Sequence, residues 1–383
     1  MTPALAPDAT ADWRAGGFGL YIHWPFCLAK CPYCDFNSHV SRTVDHAAWA
    51  RALAAEMRHM RGLTGARPVD TVFFGGGTPS LMPPATVAGL IEEADRLWGV
   101  APGAEITLEA NPTSVEAAKF RAYASAGVNR VSMGVQALDD AALRALGRTH
   151  SAGEARTAFD IARAAFDRVS FDLIYARMGQ SVVEWERELA EALAMAVDHL
   201  SLYQLTIEPG TRFADLHRLG RLPVPGDETA AEMYEVTQAL TAEAGLPAYE
   251  ISNHARPGAE SRHNLVYWRM GDYAGVGPGA HGRLTLADGR RVATETLRDP
   301  ARWLSAVGES GAAIAATEEV ARADQATELA LMGLRLAEGI SLARHRRLAG
   351  APLDGDRLSA LRDDGLVVDS GDRLSATPRG RLV

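Results

Sequence analysis

The chain has 383 residues, is 47% hydrophobic and 23% charged, and carries a formal net charge of −9. That length implies two domains, with room for a third, and a core large enough to need no disulfides. The acidic balance excludes a whole-protein nucleic-acid binder, which needs a basic face.

The chain opens on residues 1–17, which read as a flexible arm. They have no basic segment followed by a long apolar one, so a signal peptide is not expected. No run of about 18 apolar residues occurs, so no membrane span is expected. The three cysteines fall at 27, 31 and 34. An odd, clustered set is not a secreted disulfide framework and points to a reducing cytoplasm.

From residue 18 to 250, short β-branched runs alternate with amphipathic stretches. The predicted strands are 19–24, 69–74, 105–108, 130–135, 169–175 and 200–207. The predicted helices are 45–61, 83–98, 114–126, 139–147, 153–166, 181–196 and 227–244. In the first helix Asp45 can cap the N-terminus, and Trp49, Leu53, Met57 and Met60 form one buried stripe. Such alternation means an α/β fold with a parallel sheet. Periodicity leaves open whether it is a partial barrel or a doubly wound sheet.

After residue 250 the rhythm changes. Residues 251–310 read as a separate segment, of which 251–283 is rich in His, Arg, aromatics and Gly, and a polar, Ala-rich stretch at 308–318 reads as a linker. Residues 311–383 read as a mostly helical domain. A helix over 319–338 uses Leu329, Met332, Leu334 and Leu336. The run Arg344, His345, Arg346, Arg347 reads as a solvated helix face. A helix over 354–364, a strand at 366–369, a turn at Ser370-Gly371-Asp372 and a strand at 373–376 follow in the order of a winged-helix-like module. That module is expected to pack rather than to bind DNA.

The chemistry begins at Cys27-Leu-Ala-Lys-Cys31-Pro-Tyr33-Cys34. Thiolates favour iron–sulfur clusters or zinc. Three cysteines on a cubane leave one iron open for a small molecule. Zinc needs a fourth ligand, which His23 or His39 could supply. Three inert buried thiols are the remaining alternative.

This segment, with the aromatic run Tyr21-Ile-His-Trp-Pro-Phe before it, resembles the radical-SAM superfamily. The resemblance implies a 4Fe–4S cluster on Cys27, Cys31 and Cys34, with S-adenosylmethionine (SAM) on its open iron. Phe74-Gly75-Gly76-Gly77-Thr78-Pro79 follows a strand, and its glycines let backbone approach a ligand closely. Glu109, Gln136 and Asp172 end three further strands, where α/β folds build sites. Arg148 follows a helix toward the same mouth, and its guanidinium suits a carboxylate. These segments are similar to the oxygen-independent coproporphyrinogen III oxidase group over residues 18–285. By that resemblance Tyr21, Tyr33, Gly76, Gly77, Thr78, Glu109, Gln136, Arg148 and Asp172 contact SAM.

Two subfamilies share this core. The dehydrogenases carry a further cysteine two residues after the third ligand; here that residue is Phe36, and the N-terminal arm is short. The HemW-type haem chaperones resemble the chain at Cys31-Pro-Tyr-Cys-Asp-Phe-Asn-Ser38. They resemble it again at His263-Asn-Leu-Val-Tyr267-Trp268, which the resemblance makes the haem site. Chemically, His can ligate haem iron while Tyr and Trp form a flat wall. His281, in Gly275-Val-Gly-Pro-Gly-Ala-His281-Gly282, is a second candidate. Ala176-Arg177-Met178 departs from the Gly-Leu-Pro common among relatives.

The expected architecture is therefore a partial (β/α)6 barrel followed by a mostly helical region with a winged-helix-like module. The expected function is haem binding and transfer to acceptor proteins. A radical enzyme of the coproporphyrinogen dehydrogenase type is the alternative. Expected partners are haem, haem-acceptor proteins and an electron donor for the cluster, without nucleic acid, and with a homodimer as one admissible assembly.

Overall fold

The computed structural model describes residues 9–383, so residues 1–8 of the expected arm lie outside the described residues. The central feature is an eleven-stranded sheet. Its strands are β1 (Phe18–Trp24), β2 (Val69–Gly76), β3 (Val100–Ala110), β4 (Arg130–Gln136), β5 (Arg168–Tyr175), β6 (His199–Gln204), β7 (Asn253–Ala255), β8 (Asp272–Val276), β9 (His281–Thr285), β10 (Arg291–Thr296) and β11 (Ile314–Glu319). The spatial order is β11-β10-β9-β8-β1-β2-β3-β4-β5-β6-β7.

Strands β1 to β6 lie side by side in sequence order and all pair in parallel. A doubly wound sheet reverses its order at a switch point; this one does not, so the partial barrel is the correct choice. Along β1 the side chains alternate. Phe18, Leu20, Ile22 and Trp24 are fully buried beneath the helices, while Tyr21 and His23 face the barrel interior. Strand β6 ends at Gln204, before the expected 207, where its pairing with β5 stops at Tyr175, and β7 pairs antiparallel with its first three residues.

Helix His46–Thr64 forms as its sequence predicts. Asp45 accepts from the Ala48 amide at 3.0 Å, and Trp49, Leu53, Met57 and Met60 are buried. It also buries Glu56, which periodicity did not single out. The Glu56 carboxylate accepts from the amides of Gly277 (2.7 Å) and Ala313 (2.9 Å) and from Trp303 Nε1 (3.1 Å). One side chain thus ties three distant segments to the barrel.

The stretch expected as a linker is regular structure. Helix Pro300–Ser310 closes on Gly311 at φ 82°, and β11 then pairs antiparallel with β10. Its side chains are mostly exposed, so this edge strand lacks the apolar run by which strands are recognised.

Part of the expected arm, Ala9–Ala15, is a 3₁₀ helix. The Asp12 carboxylate accepts from Arg344 Nη2 at 2.7 Å, and Arg344 Nη1 donates to the Arg269 carbonyl at 2.6 Å. The run at 344–347 is therefore not a uniformly solvated face. Arg344 and His345 are buried, and only Arg346 and Arg347 are exposed.

In the C-terminal region the helix is Arg322–Gly333, shorter than expected because residue 319 still belongs to β11. Leu329 and Leu336 are buried; Met332 and Leu334 are half-buried. Helices Leu342–Ala349 and Gly355–Asp363 precede the hairpin of Val367–Ser370 with Arg373–Ala376, and Ile340–Ser341 adds a third antiparallel strand. This winged-helix-like module packs through Leu329, Ile340, Leu348 and Leu374 against Met270 of the preceding region. Among the described residues no helix is long and apolar enough to cross a membrane.

Glu56→Ala would leave three buried donors without an acceptor. A loss of at least about 3 kcal/mol is expected, read as a lower urea midpoint; an unchanged midpoint would contradict the tying role.

Candidate metal centre and cofactor pocket

The cysteine loop leaves the C-terminal end of β1 and is closed at its base by Phe26–Cys27 pairing with His39–Val40. Within it the Cys34 amide donates to the Cys31 carbonyl at 3.1 Å. This turn brings the three sulfurs to one cavity, which is also lined by Tyr33, Gly76, Gly77, Thr78, Glu109, Gln136, Arg148 and Asp172. All the expected cluster and SAM residues meet there except Tyr21.

Two glycines make the close packing possible. Gly76 has φ 113°, and a Cβ there would lie 2.6 Å from the His23 ring. At Gly77 a Cβ would lie 2.8 Å from the Phe26 carbonyl oxygen. In return Gly77 and Thr78 donate their amides to the carbonyls of Trp24 and Phe26.

Each sulfur has a polar neighbour. The Thr78 hydroxyl donates to Cys27 Sγ at 3.4 Å and Arg148 Nη1 to Cys31 Sγ at 3.3 Å. Ser38 Oγ lies 3.8 Å from Cys34 Sγ. Arg148 is fixed by bonds from Nη2 to Asn111 Oδ1 (2.6 Å) and to the Gly134 carbonyl (2.8 Å). Burial pushes the thiols of Cys27 and Cys34 up, a cost that cationic iron would relieve. Donors aimed at sulfur suit anionic thiolate ligands. The residues present therefore fit a three-cysteine cluster.

A zinc centre fits less well, because both ring nitrogens of His23 are engaged. Nδ1 lies 2.9 Å from Tyr21 Oη, and Nε2 lies 2.9 Å from the Asn37 carbonyl. His39 Nε2 lies 3.2 Å from Asn37 Oδ1.

Two buried carboxyls form the floor. Burial pushes Glu109 up to about 8, with the Asp172 charge adding to it, although the Gly76 amide donates to its Oε2 at 3.1 Å. Burial likewise pushes Asp172 up to about 6. Both shifts favour the protonated form, which can donate a hydrogen bond, and more strongly at Glu109 than at Asp172. Gln136 closes β4 at φ 71°, a strained conformation for a residue other than glycine.

Tyr21 departs from expectation. It does not line the cavity, because His23 takes its hydroxyl and its ring stacks on Phe73 (centroids 6.3 Å apart) and His263 (6.4 Å). Conversely, Asn111, Ser132 and Lys30 line the pocket without having been picked out, and Phe36, singled out only as replacing a cysteine, lines it too. The signal for Ser132 was available: it shares the inward face of β4 with Gly134 and Gln136, two and four residues on. Arg177, where relatives differ, is buried in an ion pair with Glu188 at 2.5 Å and stands outside the pocket.

The His263 segment forms helix Arg262–Trp268, capped by Ser261. His263 is 1% exposed. Its Nδ1 lies 2.7 Å from Thr71 Oγ1 and its Nε2 lies 2.7 Å from Tyr267 Oη. In this conformation neither nitrogen is free for iron. Trp268 is half-buried with the Arg335 guanidinium 4.6 Å from its ring. Tyr267 meets His263 and Tyr273 edge to face. These three side chains do not form an open wall.

Sequence and structure comparisons agree with this geometry. The radical SAM superfamily signature matches residues 21–192, and the HemN C-terminal domain signature matches residues 320–383. The chain is 38% identical over its whole length, and over 95% of the relative, to heme chaperone HemW of Mycobacterium tuberculosis. It is 37% identical to heme chaperone HemW of Escherichia coli over 95% of each chain. It is 44% identical, over 84% of this chain and 74% of the relative, to the mitochondrial radical S-adenosyl methionine domain-containing protein 1 of Bos taurus. The solved structure of coproporphyrinogen III oxidase (HemN) from Escherichia coli, a radical SAM enzyme, superposes with a TM-score of 0.79 over 97% of this chain and 90% of that one. At 23% identity that likeness establishes the shared fold.

The chain is a member of the radical SAM superfamily. Within it, the chain belongs to the HemW family. Membership of the superfamily brings a 4Fe–4S cluster and SAM as cofactors.

The buried histidine makes a pH prediction. Burial, aided by the Arg130 charge, holds His263 at about 3 against its ordinary 6.5. The unfolded chain therefore takes up the proton first. The stabilisation is complete above pH 6.5 and is lost as pH falls toward 3. His263→Gln should remove about 2 kcal/mol from the loss of stability between neutrality and about pH 5. Urea titrations at the two pH values would test this; an unaltered difference would contradict it.

Proposed function

We propose that the chain is a haem chaperone that binds haem and passes it to acceptor proteins. The observation that carries this reading is its full-length similarity to proteins named heme chaperone HemW. Phe36, standing where the dehydrogenases carry a further cysteine, supports it.

In this reading Cys27, Cys31 and Cys34 hold the 4Fe–4S cluster, which supplies a one-electron centre with one iron open to SAM. Gly76, Gly77 and Thr78 offer backbone to the methionine end of SAM. Protonated Glu109 donates to a ribose hydroxyl, and Gln136 and Asp172 complete the floor. Arg148 offsets charge on the Cys31 side and Tyr33 flanks it. Tyr21 acts from behind the pocket, by orienting His23 beneath the cysteine loop. A cytoplasmic location and an electron donor that reaches the cysteine loop go with this reading, and a homodimer is compatible with it. The named relative from cattle is mitochondrial.

His263 is a haem ligand only if its bonds to Thr71 and Tyr267 open, so its direct ligation requires helix 262–268 to move. The alternative, a coproporphyrinogen dehydrogenase, rests on the fold alone and lacks the further cysteine.

Anaerobic reconstitution followed by haem titration, with and without SAM, tests the reading. Stoichiometric haem binding with a shifted Soret band is expected, and so is the absence of decarboxylated product from coproporphyrinogen III with reductant and SAM. Absence of haem binding would overturn the reading, and product formation would favour the alternative. Separately, Cys31→Ala is expected to lose most bound iron and sulfide while keeping the wild-type circular dichroism.

A further inference from the structure

The cysteine loop is bound to the antiparallel flank of the sheet by the side chain of Asn37, three residues past Cys34. Its amide nitrogen donates to two carbonyls, those of Pro278 and Arg298, at 2.9 Å each. Its Oδ1 accepts from His39 Nε2 at 3.2 Å, and its backbone carbonyl accepts from His23 Nε2 at 2.9 Å. Amide nitrogen, amide oxygen and main chain are thus all engaged. The orientation of the amide is unambiguous, because a carbonyl can only accept.

The two acceptors belong to one corner. Pro278 lies between β8 and β9, and Arg298 follows β10. The Gly279 amide donates to the Leu297 carbonyl and the Thr296 amide to the Ala280 carbonyl, at 3.0 Å each. These bonds tie the two segments together where Asn37 reaches them. Glu56 holds the same corner through the Gly277 amide. The approach is close: Gly279 has φ 72°, and a Cβ there would lie 2.7 Å from Asn37 Nδ2.

Within the loop, the next residue, Ser38, is buried. Its hydroxyl lies 3.8 Å from Cys34 Sγ, and its carbonyl accepts from Lys30 Nζ at 3.3 Å. Pinning residue 37 therefore fixes the polar neighbour of the Cys34 sulfur. A primary amide suits this place because its one nitrogen carries two hydrogens for two carbonyls. A hydroxyl has one hydrogen, and a carboxylate would set negative charge against both oxygens.

We propose that Asn37 is a positioning residue of the metal centre. It holds residues 34–38 against the corner at 278 and 298, and so sets where the Cys34 thiolate stands relative to the cluster. Groups that orient metal ligands from outside govern metal affinity without touching the metal. This inference rests on the assignment of the cluster to Cys27, Cys31 and Cys34, and it is independent of the cargo. The bond to the Arg298 carbonyl is exposed, so water can replace the amide there. Losing Asn37 then moves the loop more than it weakens the fold.

The test uses the full chain, reconstituted anaerobically, as wild type, Asn37→Ala, Asn37→Asp, Arg298→Ala and Cys31→Ala. Iron release to a chelator and the electron paramagnetic resonance signal of the reduced cluster, with and without SAM, are read beside the urea midpoint of the metal-free chain. Asn37→Ala should keep that midpoint but release iron at least about tenfold faster, with an altered signal. Failure of this variant to take up iron at an unchanged midpoint would be the stronger form of the same result. Asn37→Asp should hold iron no better than Asn37→Ala, whereas Arg298→Ala keeps its carbonyl and should match the wild type. A wild-type release rate and signal in Asn37→Ala overturns the proposal. So does a metal-free midpoint lowered as far as in Glu56→Ala, which would make Asn37 a residue of the fold alone. If Cys31→Ala loses iron while Asn37→Ala behaves as wild type, this inference falls and the cysteine assignment stands. If the wild type takes up no iron, both fall.

Discussion

The site depends on one constraint, the parallel pairing of β1 on both sides. Register with β2 runs from Gly19 to Trp24, and register with β8 runs from Phe18 to Ile22. A strand fixed on both edges cannot slip, since a one-residue shift would send Phe18, Leu20, Ile22 and Trp24 into the barrel and Tyr21 and His23 among the helices. The point at which the cysteine loop leaves the sheet is fixed with it. Three strand ends then converge on His23. Gly76 abuts its ring, and a Cβ on Gly277 would lie 2.3 Å from its carbonyl oxygen. The glycines on β2 and after β8 are thus two halves of one packing solution around β1.

That convergence explains what was legible in the sequence. The cysteines, the glycine motif and the polar strand ends are local signals, each readable from spacing within one strand–loop unit. Parallel strands in sequence order bring such units to one mouth, so adding them up gave the pocket almost whole. Polar residues whose role is settled by distant partners were not legible in this way. Tyr21 has the right position on the inward face, but His23 and Phe73 decide where its hydroxyl and ring go. The commitment of His263 depends on Thr71, 192 residues away. Glu56 sits in a helical pattern that explains its apolar neighbours, and its donors come from segments more than 200 residues further on. Strand β11 was missed for a different reason: an exposed edge carries no apolar period.

The barrel interior is polar and occupied. Glu105 pairs with Arg168 at 2.9 Å and accepts from the His263 amide at 3.1 Å. Arg130 donates to Ser170 at 2.9 Å. Helix 262–268 therefore stands inside the curve of the sheet, held by buried ionic and polar bonds that are costly to break singly. This arrangement rigidifies the floor beneath the cofactor pocket, and it occupies space on the inner side of β1 and β2.

The aromatic stack behind the pocket connects these two regions. Tyr21, Phe73 and His263 form a triangle of rings, with the Phe73 centroid 6.3 Å from that of Tyr21 and 4.9 Å from that of His263, and Tyr21 6.4 Å from His263. Tyr21 in turn bonds His23, whose other nitrogen meets the cysteine loop at the Asn37 carbonyl. Displacing the His263 helix would remove one face of that stack and loosen the support of the cysteine loop. Conversely, a loop held by its cluster would steady the same aromatic cluster and, through Asn37, the Gly-rich turn that follows β8. The His-Asn-Leu-Val-Tyr-Trp segment thus has a structural role in this conformation. It is the inner wall against which β1, and everything hung from β1, is held in register.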